Sequence, residues 1–416
     1  MRKYPLVFLL IFVASVTYVS AQRVATFEVL LDKPTNGLSI PAKTDLDAVT
    51  FLPDSLLSLA EVRGNKRIPV PYQIETTDHR VLHWLVESKG DKSNKRVYEL
   101  VATPRMDHVT DVMAKNDSGA ITICANNKNL LRYFYKTVYP PAGQDTNYKR
   151  SGFIHPLWTP HGQELTRIQA PDHYHHYGIW NPWTHVYFEK DTVDFWNIKG
   201  HQGTVRFAKL ISSTNGPVYS EYEVLHEHVV FKKNGTEKVA LNELQTVRIY
   251  QPEDNSDYYI VDITSKMSCA SESPFLIVAY RYAGLGWRTT GFWDSKNCEV
   301  LTSEGKTRKD TDGSTAKWCI VQGALNDDYG GAAFLSYPAN YNHPEPMRIW
   351  TENMNGRGDM FFNFAPTKDK NWLLEPGKTY TLKYRLVVFN GHFTKEKAES
   401  AWQYFAASPK VMIKTN

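Results

Sequence analysis

Apolar and polar residues alternate along most of this chain with the period of two that marks half-buried strands. The alternation runs from Val24 to Leu31, Ile68 to Ile74, Val81 to Glu87 and Arg96 to Ala102, with turn residues between the runs. These runs predict a small β-sandwich over residues 22–118. A second β region opens between Gly119 and Val138. Its long strands are expected at Thr204–Ile211, Glu221–Phe231, Leu241–Tyr250 and Tyr258–Met267, the last two separated by the turn-rich segment Gln251 to Ser256. Further strands are expected at Phe275–Tyr282, Trp318–Ala324, Gly331–Ser336 and Thr379–Val388. The period becomes helical only at Lys395–Phe405, where Ala398, Ala401, Trp402 and Phe405 recur on one face. The expectation is an all-β protein: a small N-terminal β-sandwich, a large double-layered domain over residues 119–416 and a short C-terminal helix.

The chain opens with Met1-Arg2-Lys3, an apolar run from Leu6 to Val19, and then Ser20-Ala21-Gln22. Small residues at Val19 and Ala21 suit cleavage before Gln22, so residues 1–21 read as a signal peptide. The run is shorter than the roughly 20 apolar residues of a membrane span. Export to the periplasm is the expectation, with no membrane span in the mature chain.

Composition narrows the function classes. The 416 residues are 42% hydrophobic, enough for a sizeable core, and the net charge is only +4. Such a mild balance, with no basic run, argues against a nucleic-acid partner. No Gly-rich phosphate loop follows a strand, which argues against a nucleotide cofactor. Aromatic residues make up 13%, including 11 Trp and 24 Tyr, which suits both strand packing and glycan handling. The four cysteines form no CxxC pair. Export permits a disulfide, and Cys298 with Cys319, flanking an expected hairpin, is the candidate; buried free thiols are the alternative.

The densest chemistry lies at Pro171-Asp172-His173-Tyr174-His175-His176-Tyr177-Gly178-Ile179-Trp180-Asn181-Pro182-Trp183. Imidazole exchanges protons near neutral pH and is the commonest metal ligand. On a strand, His173 and His175 would face one side and His176 the other. Pro171 and Gly178 make a loop at a strand end an equal expectation. Three readings stay open. One histidine acts as general acid or base on a sugar. Alternatively Asp172, His173 and His175 (or His176) bind a divalent metal. The third is a hydrogen-bonded structural cluster.

This block, with Phe153-Ile154-His155-Pro156-Leu157, Val193-Asp194-Phe195-Trp196, Gly284-Leu285-Gly286-Trp287-Arg288 and Asn342-His343-Pro344-Glu345-Pro346, resembles a bacterial family of unknown function labelled "methane oxygenase PmoA-like". The resemblance covers about Leu130 to Gly391. Tyr177 stands where that family usually has arginine. The resemblance implies a β-supersandwich of the galactose-mutarotase type and a place in polysaccharide utilisation. The oxygenase in the label is not supported by these residues.

Other residues join the list on chemical grounds. His155 precedes a proline, which favours extended backbone, and could reach the same pocket. Glu345 and Glu352 are candidate carboxylates to complement a histidine. Asp194, His201, His343, Arg281 and Arg288 are candidate substrate contacts, the arginines suited to a uronate carboxylate. Trp180, Trp183 and Trp196 are candidate stacking platforms, with core packing the alternative. The leading expectation is a periplasmic carbohydrate-active enzyme (glycoside hydrolase, lyase or sugar epimerase) acting on an oligosaccharide or sugar without a cofactor. The alternatives are a non-catalytic glycan-binding protein and a metal-dependent oxygenase or hydrolase.

Overall fold

The structure is a computed structural model and describes residues 22–87, 93–105, 112–354 and 356–415. The expected export signal, residues 1–21, lies outside the described residues. The protein is all-β, with one α-helix, Lys395–Ala406, among the described residues. None of their helices is long and apolar enough to cross a membrane.

Near the N-terminus a five-stranded sheet runs in the order Lys410–Thr415, Gln22–Leu30, Lys95–Ala102, Leu57–Arg63, Lys66–Pro69. A three-stranded sheet, Ile40–Asp45, Arg80–Val86 and Tyr72–Thr76, packs with it around one core that holds Phe27, Trp84 and Tyr98. The alternating run Ile68–Ile74 is divided between these two sheets rather than forming one strand. Pro69 and Pro71 cannot donate to a ladder, so the chain changes sheets between them. The last strand of the protein closes this first unit, with Leu30 opposite Lys410 and Ala25 opposite Thr415.

Two large antiparallel sheets form the rest. The central sheet has eight strands, in the order Gly203–Thr214, Tyr219–Phe231, Glu237–Tyr250, Tyr258–Cys269, Thr379–Asn390, Asp328–Ser336, Trp318–Leu325, Cys298–Thr302. The outer sheet has nine, and its middle strands are Glu345–Ile349, Phe361–Phe364, Gly286–Arg288, Ile179–Trp180 and Phe153–Leu157. The expected strand Phe275–Tyr282 is only Phe275–Ile277, held between Val186–Phe188 and Trp372–Leu374 in a small separate sheet. Beyond it the chain turns toward the aromatic face described below.

Strand alternation assigns each side chain to a layer. On the central sheet, Cys319, Val321, Phe334, Leu386 and Val388 face the main core. Their neighbours Trp318, Ile320, Leu335, Val387 and Phe389 face the N-terminal unit and the helix. Burial on both faces explains the unbroken apolar runs Cys319-Ile320-Val321 and Leu386–Phe389. The outer sheet repeats the logic. Ile154, Ile179, Trp287, Ile349 and Phe362 point into the main core, while Phe153, Trp180, Trp350 and Phe361 form a separate aromatic layer on its far side.

All four cysteines are free thiols, and Cys298 with Cys319 is not a disulfide. The ladder sets Cys298 opposite Gly323 and Cys319 opposite Thr302, so register separates the two sulfurs. Burial pushes the Cys298 thiol up to about 12.

The shared core predicts that the N-terminal unit and central sheet unfold together. Phe389 stacks on Phe393 between them, ring centres 4.7 Å apart. Phe389→Ala should lose about 3–5 kcal/mol. Denaturant unfolding followed by tryptophan fluorescence and far-UV circular dichroism should still show one coincident transition at lower denaturant. Two separated transitions would contradict a shared core.

Candidate functional site

The histidine segment is a strand, His173–Tyr177, paired antiparallel with Ile168–Ala170. This hairpin covers the aromatic face of the outer sheet. It is tied down at its end by backbone bonds: Gly178 N–H donates to Arg167 O (3.0 Å) and Arg288 N–H to Gly178 O (2.8 Å). Gly178 has φ +50°, and a Cβ there would lie 2.1 Å from the Ile154 carbonyl oxygen. Only glycine lets the histidine strand cross so close to its neighbour.

Alternation along Gly286–Arg288 sends Trp287 into the main core and Arg288 to the aromatic face. Arg288 is 0% exposed and lies over Trp350, its guanidinium carbon 4.7 Å from a ring centre. Its Nη2 donates to both oxygens of Asp172 (2.9 and 2.8 Å) and to Asp359 Oδ2 (3.1 Å). Arg167 Nη2 reaches the same Asp359 oxygen at 3.2 Å, and Arg357 takes the other at 2.9 Å. The cluster thus joins Asp172 and Asp359 to three arginines. Such pairing offsets the cost of burying these charges. Hydrogen bonds from His173 and Arg288 hold the Asp172 carboxyl well below its usual range against the opposing effect of burial.

His173 sits at the open rim. Its Nδ1 is 2.9 Å from Asp172 Oδ2, and its ring lies 4.8 Å from Trp350 and 4.7 Å from His176. A carboxylate accepts, so Nδ1 carries a proton, and the tautomer this bond selects has its lone pair on Nε2. His175 is largely covered; burial, reinforced by His173, Arg150 and Arg288, pushes it down to about 3. His176 is fully buried among Trp180, Trp350 and Phe361 and is pushed well below its usual value, chiefly by burial. Its Nδ1 has no partner. Both rings stay neutral at physiological pH, which suits them to hydrogen bonding rather than proton donation.

The remaining residues fall in several places. Trp180 and Trp196 pack together (5.0 Å) beneath the histidines, a buried floor rather than an open platform. Trp183 is part of the main core, against Trp372. Asp194 accepts from the Trp196 and Asn197 backbone N–H groups at 2.7 and 2.8 Å and from the Asn197 side chain at 2.6 Å, the geometry of a turn cap. Arg281 is exposed at the rim, over Tyr280 and Tyr282. His155 bonds Thr166 (2.9 Å) in the segment before Ile168–Ala170, and burial pushes it down to about 4. His201 stacks on Phe231 elsewhere on the surface.

Glu345 belongs to a different cluster. It is fully buried between the two large sheets, accepting from Ser336 (2.6 Å), Asn340 (2.8 Å) and Tyr384 (2.9 Å). Burial pushes it up to about 7 against those bonds. His343 touches the same Ser336 hydroxyl at 3.1 Å. Glu345 and Trp350 are on one extended segment, so five residues at about 3.3 Å each separate Glu345 from the aromatic layer. Glu352 lies in the loop after Trp350 and makes no hydrogen bond or ion pair with the histidines.

Sequence reasoning missed Arg167, Trp350, Phe361 and Tyr282 as site residues and did not commit to Asp359. The one available signal was charge: an arginine such as Arg288 on a mostly apolar strand needs a partner when buried, and Asp359 is an acidic residue not far along the chain from Glu345 and Glu352. A third buried cluster was also unforeseen. Glu243 is buried, bonded by Ser265 (2.6 Å), Asn181 (2.7 Å) and His228 (3.1 Å).

Among the described residues no group of three His, Cys, Asp or Glu side chains is arranged to hold a metal. The proposed ligands Asp172, His173 and His175 do not fit one. Asp172 is neutralised by Arg288, and the His173 nitrogen nearest it donates to the carboxylate.

The neutral histidines predict a pH effect. Their folded values lie below the unfolded value of about 6.5, so the unfolded chain binds more protons as pH falls. Their contribution to stability is complete above about 6.5 and is lost as pH falls below it, down to about 4 for His155 and about 3 for His175. Melting temperatures measured from pH about 7.5 to about 4.5 should fall less steeply in His155→Gln, by about one proton's share of the slope. A parallel fall in the two proteins would mean His155 is not held neutral.

No curated protein matches this chain. Among solved structures, a heparan sulfate lyase, HepC, from Pedobacter heparinus aligns with TM-score 0.34 and 10% identity over 68% of this chain and 37% of that one. A GH36 α-galactosidase, AgaA, from Geobacillus stearothermophilus aligns with TM-score 0.28 and 9% identity over 67% of this chain and 40% of that one. This chain therefore spans less than half the length of either. A family model described as "Family of unknown function (DUF6807)" matches residues 120–403, the span that carries the histidine hairpin, Arg288, Trp350 and Asp359, and the chain belongs to that family.

Proposed function

We propose that this chain is an exported carbohydrate-active enzyme that uses His173 for acid–base chemistry on a glycoside or sugar. The observation that carries the reading is the Asp172–His173 hydrogen bond at the rim of the aromatic layer, with Arg288 locked behind Asp172. Asp172 fixes the tautomer and orientation of the ring, leaving Nε2 to take a proton from a hydroxyl or from carbon beside a carboxylate. Arg167, partly exposed at the edge of the ion cluster, is the arginine that can face negative charge developing on a substrate. Neutral His175 supplies a hydrogen bond next to the reacting group.

Export rests on residues 1–21, and a periplasmic place in polysaccharide use follows from it and from the resemblance. In the same reading the paired large sheets are the supersandwich that the resemblance implies, a fold-level analogy. Oxygenase chemistry is not part of the reading, because Asp172 is committed to Arg288.

The test is a panel of plant and algal oligosaccharides, neutral and uronate-bearing, with products read by mass spectrometry. Turnover of one substrate should drop about 10²–10⁴-fold in His173→Gln, at an unchanged melting temperature. Asp172→Asn should lower turnover and alter its pH profile, since the tautomer is no longer held. Full activity in His173→Gln would sink the acid–base assignment. Saturable binding with no product from any substrate would replace the enzyme by a glycan-binding protein.

A further inference from the structure

A cavity of about 280 Å³ opens beside the start of the central sheet; its wall residue Arg150 lies over Tyr177, at the opposite end of the histidine strand from His173. Arg150, Lys149, Ser151, His201, Arg206 and Phe231 are among its walls. The sequence singled out His201, and the histidine site leaves it unused. In the structure its ring stacks on Phe231, centroids 4.3 Å apart and planes inclined by 14°.

The wall carries Lys149, Arg150 and Arg206 against one carboxylate, Glu237. Arg206 is spent, bonded to Glu227 (3.1 Å) and Glu237 (2.7 Å). Arg150 is different. It is 3% exposed and makes no ion pair among the described residues; the Asp194 charge reaches it only from beyond contact, and its guanidinium lies over the Tyr177 ring at 5.9 Å. Its Nη2 donates to the Phe195 carbonyl at 3.0 Å, and its Nε is buried with no acceptor. Exposed Lys149 makes only a contact with the Tyr139 ring, at 5.9 Å. A buried guanidinium without a counter-ion is costly, and an anion entering beside it would recover that cost. The volume sits just below the roughly 300–1,000 Å³ of small-molecule sites, room for one ring. The flat edge of the His201–Phe231 pair suits the face of such a ring.

We propose that this cavity is a second ligand site, which takes a single sugar ring bearing a carboxylate or a sulfate. The anionic group meets Arg150 and Lys149, and the ring lies against His201 and Phe231. The site does not depend on the histidine hairpin being catalytic.

Calorimetric titration of the full chain with glucuronate, glucose 6-sulfate and glucose tests it. One or both anions should bind saturably, and glucose should not; which anion binds separates carboxylate from sulfate. Lys149→Glu and His201→Ala, both at exposed positions, should each weaken binding about tenfold. Arg150→Gln should abolish it, but the surface variants decide the matter if that protein misfolds. His173→Gln should bind as the parent does. The proposal is overturned if neither anion saturates, if glucose binds equally well, if both surface variants keep full affinity, or if His173→Gln loses binding.

Discussion

Burial of the central sheet on both faces organises the whole molecule. One face of its middle strands packs into the main core, and the other supports the N-terminal unit and the C-terminal helix. Antiparallel sheets often leave one face to water, but these strands cannot. The outer sheet must then close the main core from the other side, and its own far face is left to be covered. Six aromatic residues, with Trp180, Trp196 and Trp350 among them, and the histidine hairpin cover it. The candidate site is thus the last layer of a stack, set by the layers beneath.

Arg288 is the point where this stacking turns into chemistry. Alternation forces its side chain to the aromatic face, where no water balances the charge. Asp172 from the hairpin and Asp359 from the loop after Trp350 supply the balance. That loop is in turn clasped by buried Arg308, whose side chain donates to the Trp350 and Asp359 carbonyls at 3.3 and 3.2 Å. The ion cluster therefore ties three separate segments to one spot and leaves His173 oriented at the rim. The surrounding positive charge and the burial keep His175 and His176 neutral.

The sequence was most legible where a period ran long. The ribbons Tyr219–Phe231 and Glu237–Tyr250 and the helix Lys395–Ala406 stand close to the positions their patterns imply. Short strands were read less well, because two or three residues hold no period. Ile179–Trp180 and Gly286–Arg288 place the site, yet each is identifiable only through its partners. Aromatic residues were ambiguous for a similar reason. Trp183 and Trp196 lie near each other in the chain and are equally buried, but one faces the main core and the other the layer under the histidines.

Taken alone, the sequence determined the all-β class, the C-terminal helix and the concentration of histidines at one place, since each depends on local period or local composition. The tertiary structure decided which residues share a site. It grouped Asp172, Arg288 and Asp359, which are far apart in the chain, and set Glu345 in a separate buried cluster. It kept Cys298 and Cys319 apart through register, and it paired the last strand with the first. These outcomes rest on strand pairing between distant segments and on the counter-charges that buried Arg288 draws in, and neither leaves a mark within a short stretch of sequence.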